Sequence, residues 1–135
     1  MYVLPLAPTT PENSTMSNRN ALVVDDHPTN RLLGRTLLGK LGWITDEAES
    51  GELALEKARQ TEFAIILLDI SMPGMSGEET CAKLRAQPNG AAIRIIAYTA
   101  HAFPEERERF LAAGFDEILT KPINRQRLEE VIGKI

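Results

Sequence analysis

A single α/β domain built around a five-stranded parallel sheet is what this sequence predicts, and three observations carry that expectation. Strand-like runs at 21–24, 44–48, 64–69, 93–98 and 117–120 alternate with stretches whose apolar residues return at helical spacing. The runs Ala21-Leu22-Val23-Val24 and Ile65-Ile66-Leu67-Leu68 lack in–out alternation, the mark of strands covered on both faces. Polar side chains stand where runs stop: Asp25 and Asp26 after the first, Asp69 closing the third, Thr99 after the fourth and Lys121 after the fifth. Open α/β sheets place their ligands along that carboxyl edge.

Residues 1–20 hold Pro5, Pro8 and Pro11 among Thr, Ser and Asn and read as a linker or tail, leaving 21–135 as the domain. The first helix is expected over 29–41, where Leu33, Leu37, Leu38 and Leu41 repeat, with Gly42 ending it. Ser50 can cap a second helix holding Leu53, Leu55 and Ala58. Ser76, with Glu79 three residues on, opens a third that runs through Leu84. Pro73, Gly74 and Gly77 forbid continuation of the strand that ends on Asp69. A fourth helix spans 104–113 and stops at Gly114; Asn124 caps a fifth, with Leu128, Val131 and Ile132 facing inward.

The chain has 135 residues, 43% of them hydrophobic, enough for one core without staples. A formal net charge of -4 gives no basic footprint for a phosphate backbone, so direct nucleic-acid binding is not expected. The one cysteine, Cys81, can form neither an internal disulfide nor a zinc cluster, and beside Leu84 in a helical pattern it reads as a packing residue. No apolar run approaches the length of a membrane span and no signal-peptide layout opens the chain, so direct membrane contact is not expected and the cytoplasm is the expected location.

Asp25 and Asp26 repel each other unless a cation neutralises them, although one of the two also suits the cap of the next helix. If the first and third strands are neighbours, the pair comes near Asp69 and makes an oxygen-rich pocket suited to Mg²⁺. His27 reads as a loop or docking residue, since hard oxygen donors surround it and no second histidine completes a transition-metal set. Thr99 and Lys121 bring a hydroxyl and an ammonium to the same rim. A carboxylate can attack phosphorus, Mg²⁺ can neutralise the equatorial oxygens, and Lys and Thr can hold those that remain.

The acidic pair Asp25-Asp26, Asp69 in LLDISMPGMSG, Thr99 in IIAYTA and Lys121 in LTKPI together resemble the receiver domain of two-component response regulators. The resemblance covers 21–135. It implies a flavodoxin-like (βα)5 three-layer sandwich with strand order 2-1-3-4-5. It implies further that Asp69 accepts a phosphoryl group from a phosphohistidine, in a self-catalysed transfer rather than enzymatic turnover. Asp26 and Asp69 would ligate Mg²⁺ directly, Asp25 through water, and the Ser71 main-chain carbonyl would be another ligand. Thr99 would bind a phosphoryl oxygen and Lys121 would pair with it, aimed by a cis Lys121–Pro122 bond. The implied partner is a histidine kinase dimerisation domain or a histidine phosphotransfer protein, docked above Asp69 over the loop after Asp26, the first helix with Leu32, and the loop after Lys121.

One position departs from the family. The switch aromatic usually lies three residues before the lysine, where this chain has Ile118. Ser71 and His101 occupy positions that in the family tune acyl-phosphate lifetime. The segment Tyr2-Val3-Leu4-Pro5-Leu6-Ala7-Pro8 resembles the last strand of a histidine-kinase ATPase domain, which would make this the receiver of a hybrid sensor histidine kinase; the other reading is a disordered extension. Two further functions compete. A haloacid-dehalogenase-like aspartyl phosphatase would need a D-x-D motif after the first strand, which Asp25-Asp26-His27 does not supply, and a pseudo-receiver would not need all five functional positions.

Overall fold

The computed structural model describes residues 18–100 and 102–133. Five strands and five helices alternate along them: β1 Asn20–Val24, α1 Pro28–Lys40, β2 Ile44–Ala48, α2 Gly51–Gln60, β3 Ile65–Asp69, α3 Gly77–Arg85, β4 Arg94–Thr99, α4 Pro104–Ala113, β5 Glu117–Thr120 and α5 Arg125–Gly133. A 3-10 turn, Gly90–Ala92, precedes β4. The sheet is wholly parallel with order β2-β1-β3-β4-β5, as the sequence implied. The readings for the tail segment 2–8 and for His101 lie outside the described residues.

Alternation along the buried strands divides the core into two layers. Leu22, Val24, Ile66, Leu68, Ile95, Ala97 and Ile118 face α2, α3 and α4, where Ala54, Leu55, Cys81, Leu84 and Phe110 complete one cluster. Ala21, Val23, Ile65, Leu67, Ile96, Tyr98 and Leu119 face α1 and α5 and close on Leu38, Leu128 and Val131. Edge strand β2 keeps the in–out pattern of a half-exposed strand, with Ile44 in solvent.

Several boundaries move by one residue. Strand β4 begins at Arg94, not 93, because the Ile93 N–H is turned back to the Gly90 carbonyl of the 3-10 turn; the strand then runs on to Thr99, which pairs with Thr120. Helix α1 starts on Pro28, whose fixed φ suits a first helical position, and ends at Lys40 before Gly42 at φ +95°. Leu37, Leu38 and Leu41 of the leucine repeat pack against the core as expected, and Leu33 does not. Gly34 and Leu38 touch the sheet while Leu33 sits at the rim, since a Cβ at Gly34 would already meet Val23 Cγ1 at 3.0 Å. In α2 the fully buried place belongs to Ala54 rather than Leu53.

Capping follows the sequence. Ser50 Oγ accepts from the Leu53 N–H, Ser76 Oγ from Glu79 and Asn124 Oδ1 from Arg127, while Gly114 closes α4 at φ +115°. Unforeseen was the Glu106 carboxylate accepting from the Phe103 N–H at the start of α4. Helix α3 leans on the end of β3 with no room between them: a Cβ at Gly77 would lie 2.4 Å from the Asp69 carbonyl oxygen and 2.7 Å from Ile70 Cα. The Gly77 N–H donates to Ile70 O and Ile70 N–H to Tyr98 O, so main-chain bonds clasp both ends of the 70–77 loop.

Candidate functional site

Strand order creates the site. Val24 is paired with Leu68 and Asp69 with Tyr98, so the residues after β1, at the end of β3 and at the end of β4 emerge side by side. Lys121 joins them from β5, its N–H bonded to the Thr99 carbonyl at 2.7 Å. The structure therefore gathers Asp25, Asp26, Asp69, Thr99 and Lys121 on one edge, with Asp25, Asp69 and Thr99 buried. The Lys121–Pro122 peptide bond is cis.

One carboxylate oxygen from each of Asp25, Asp26 and Asp69 lies within 4.8 Å of the others. Asp25 Oδ2, Asp26 Oδ1 and Asp69 Oδ2 are buried and accept no hydrogen bond. Buried polar atoms are nearly always satisfied, so three orphans pointing at a common space mark a place for a cation. The donor set is all oxygen and anionic, which fits a hard divalent ion. The other oxygens of Asp25 and Asp69 are fixed: Asp25 Oδ1 accepts from the His27 N–H at 2.8 Å, and Asp69 Oδ1 accepts from Ser71 N–H and Lys121 Nζ, both at 3.2 Å.

Lys121 Nζ also approaches Asp25 Oδ2 at 3.6 Å, so one ammonium serves two buried carboxylates. The charge balance is incomplete. Burial first, and repulsion from Asp25 second, raise the Asp69 pKa above its ordinary value; the Lys121 charge and the Ser71 N–H only partly counter this. Burial, followed by the Asp25 and Asp69 charges, pushes the Tyr98 phenol up to about 12, so its ring is neutral. Burial likewise pushes the Cys81 thiol up to about 11, in keeping with a packing residue.

Two contributors escaped the sequence reading. Arg31, one turn into α1, donates from Nη1 to the Asp25 carbonyl at 2.8 Å and pairs through Nε with Glu47 at 2.5 Å, clamping the acidic loop to β2. Its N–R position in DDHPTNR carries no signal beyond a charged residue in an amphipathic helix. Tyr98 is the other: its ring faces Lys121 Nζ at 4.8 Å from the centroid. It stood inside the IIAYTA strand, where an aromatic residue reads simply as core. Ile118 lies in the opposite core layer beside Ala97, Phe110 and Phe115. His27 and Leu32 are exposed, Leu32 to 67%.

Residues 21–133 match the family model described as the response regulator receiver domain. The chain is 39% identical over 116 residues to the sensor protein GacS of Pseudomonas syringae, covering 84% of this chain and 13% of that protein. It is 37% identical over 111 residues to the signal transduction histidine-protein kinase BarA of Escherichia coli, 82% of this chain and 12% of that one. The matched region is thus a small part of these curated relatives. Among solved structures, the chemotaxis protein CheY4 of Vibrio cholerae superposes with a TM-score of 0.83 at 28% identity, covering 88% of this chain and 99% of that chain. The receiver domain of a sensor histidine kinase from Pseudomonas aeruginosa PAO1, solved with a magnesium ion coordinated in its active site cleft, gives 0.79 at 31% identity, over 87% and 97%. Fold, rim and relatives agree: this chain belongs to the response regulator receiver domain family of two-component signalling.

Proposed function

We propose that Asp69 is the phosphoacceptor of this receiver domain and that Mg²⁺ is its metal. The observation that carries the reading is the convergence of three orphaned carboxylate oxygens beside a single lysine. Asp69 is presented at a strand tip, its carboxylate oriented by Ser71 N–H and Lys121. An Asp69 oxygen forms a bond to phosphorus as the phosphorus–nitrogen bond of a phosphohistidine breaks, the nitrogen leaving with the electron pair. Lys121 and Thr99 then hold the transferred oxygens. Asp26, Asp69 and the Ser71 carbonyl would hold the metal directly and Asp25 through water; when bound, it supplies neutralising charge to the phosphoryl oxygens. The magnesium reported for the Pseudomonas receiver supports that identity.

The donor is a histidine kinase dimerisation domain or a histidine phosphotransfer protein, docking above Asp69 against α1, where Leu32 is exposed, and the loop after Lys121. Similarity to sensor kinases supports an origin as the receiver of a hybrid kinase, acting in the cytoplasm. Among the described residues no helix is long and apolar enough to cross a membrane. Incubation with phosphoramidate and Mg²⁺, read by intact mass and hydroxylamine sensitivity, tests the assignment. One phosphoryl group is expected, none with EDTA and none in Asp69→Ala. Steady donor turnover without a stable adduct would indicate a phosphatase, and absence of both would indicate a pseudo-receiver.

A further inference from the structure

We infer that Tyr98 is a positioning residue for the phosphoryl-transfer lysine: its ring face holds the Lys121 ammonium at the rim when the metal weakens the lysine's contact with Asp25. The inference rests on the reading of Asp69 as phosphoacceptor. Its starting point is geometric. Among the described residues Lys121 Nζ lies near Asp69 Oδ1 at 3.2 Å, Asp25 Oδ2 at 3.6 Å and the Tyr98 ring at 4.8 Å. They differ in what a divalent cation does to them.

Asp25 belongs to the acidic cluster that could hold the cation, and its Oδ2 is buried and accepts no hydrogen bond. A metal held beside that carboxylate through water draws on the same negative charge as the lysine and repels the ammonium besides, since both are positive. The Asp25 attraction on Lys121 therefore weakens on metal loading, at the moment when the lysine is needed beside the incoming phosphoryl group. An aromatic face is a partner of another kind. It attracts an ammonium through its quadrupole, carries no charge for the metal to claim, and strengthens in a site withdrawn from water. Tyr98 is 1% exposed and fixed by packing among Leu119, Ile123 and Leu128, so the ring cannot follow the lysine and instead limits where it goes. It precedes Thr99 directly and is paired with Asp69 in the sheet register, which ties the ring to the phosphoacceptor strand.

The test uses the full chain with phosphoramidate as donor at saturating Mg²⁺. Tyr98→Phe and Tyr98→Leu are compared with variants carrying mono-, di- and trifluorinated phenylalanine at position 98, which keep a ring of similar shape while draining its face of electron density. Tyr98→Phe should phosphorylate within about twofold of the parent, the fluorinated series should slow stepwise, and the trifluorinated ring and Tyr98→Leu should fall by about three- to tenfold. The second measurement is the ring-current shift of the Lys121 ε-methylene protons by NMR in the parent, which should be upfield without metal and stay upfield after Mg²⁺ is added. A flat rate across the fluorinated series would reduce Tyr98 to packing and overturn the inference, as would disappearance of the ring-current shift on Mg²⁺ addition. Failure of the parent to be phosphorylated at all would remove the Asp69 reading, and the ring-current measurement would still decide whether the ring keeps the lysine.

Discussion

The two edges of the sheet handle charge in opposite ways. Where the strands begin, Arg85 at the end of α3 donates to the carbonyls of Gly90, Ile93 and Gly114 and to Asp116 Oδ2, at 2.7–3.0 Å. The same Asp116 oxygen also accepts from the Ile95 N–H. One guanidinium thus fastens α3, the 3-10 turn, β4 and the loop before β5. Where the strands end, three carboxylate oxygens lie buried without a donor and one lysine answers two acids. The first arrangement holds the fold and the second strains against it until a cation arrives. Separating them along the strands lets the reactive edge be left electrostatically incomplete while the opposite edge keeps β4 and β5 in place.

Breaking the saturated edge should have the largest effect. Arg85→Ala withdraws a donor from four acceptors, of which Gly90 O keeps the Ile93 N–H and Asp116 Oδ2 the Ile95 N–H, and is expected to cost about 3 kcal/mol in urea unfolding while leaving Mg²⁺ affinity unchanged. A parallel loss of Mg²⁺ affinity would show that the two edges are one cooperative unit. At the other edge, Asp26→Ala should weaken Mg²⁺ binding more than Asp25→Ala, for which a loss of about tenfold is expected of a ligand acting through water. Calorimetric titration of each variant gives the order, and a reversed or equal rank would abolish the proposed division between the two acids.

Removing charge from the incomplete edge should stabilise the metal-free domain, by about 1 kcal/mol for Asp69→Asn at neutral pH. The sign is set by the raised Asp69 pKa: the fold binds this proton more tightly than the unfolded chain, so the carboxylate costs nothing below its ordinary 3.8 and its full penalty applies above the folded value. The advantage of Asp69→Asn should grow as pH rises through that window and vanish at saturating Mg²⁺. Glu47 runs the other way. Its hydrogen bond to Arg31, aided by Arg35, holds its pKa low despite desolvation, so its contribution is present at neutral pH and lost as pH falls through the lowered value. Denaturant midpoints across the acid range separate the two, and a pH-independent advantage for Asp69→Asn would trace it to packing instead of charge.

The smallest expected effect concerns Ile118. Without a ring to swing into space beside Thr99, phosphorylation should displace α4 and β5 less than in receivers with Tyr or Phe there. Crystal structures with and without a beryllofluoride mimic measure it. A large shift of residues 102–113 with a new dimer through that face would show that Ile118 or a neighbour such as Tyr98 serves as the switch after all.

Much of this was legible in the sequence because the rim residues are punctuation. Asp69 and Thr99 are polar stops on apolar runs, Asp25 follows one directly, and a parallel sheet brings such stops together whatever the loops do. Arg85 was not legible. Its anion partner is 31 residues away, and an arginine after Leu84 looks like any solvated helical residue until β5 is docked. Tyr98 was hidden for the reverse reason, since a strand aromatic already has a sufficient explanation in packing. The leucine repeat of α1 located the contact line through Leu37, Leu38 and Leu41 but put Leu33 on it and missed Gly34, whose lack of a side chain makes the close approach and leaves no hydrophobic signal.

Gly77 has a bearing on how variants of this domain would be interpreted. It touches no phosphoryl group and holds no metal in the scheme above, yet any side chain there drives into the backbone of Asp69 and Ile70. In a selection for signalling-dead alleles it should surface beside Asp69 and Lys121, and a map drawn from that selection would count it among the residues that do the chemistry. Its contribution is an empty volume. Alleles of that kind should be suppressible by second-site changes that shift α3 outward, whereas those at Asp69 should have no suppressor.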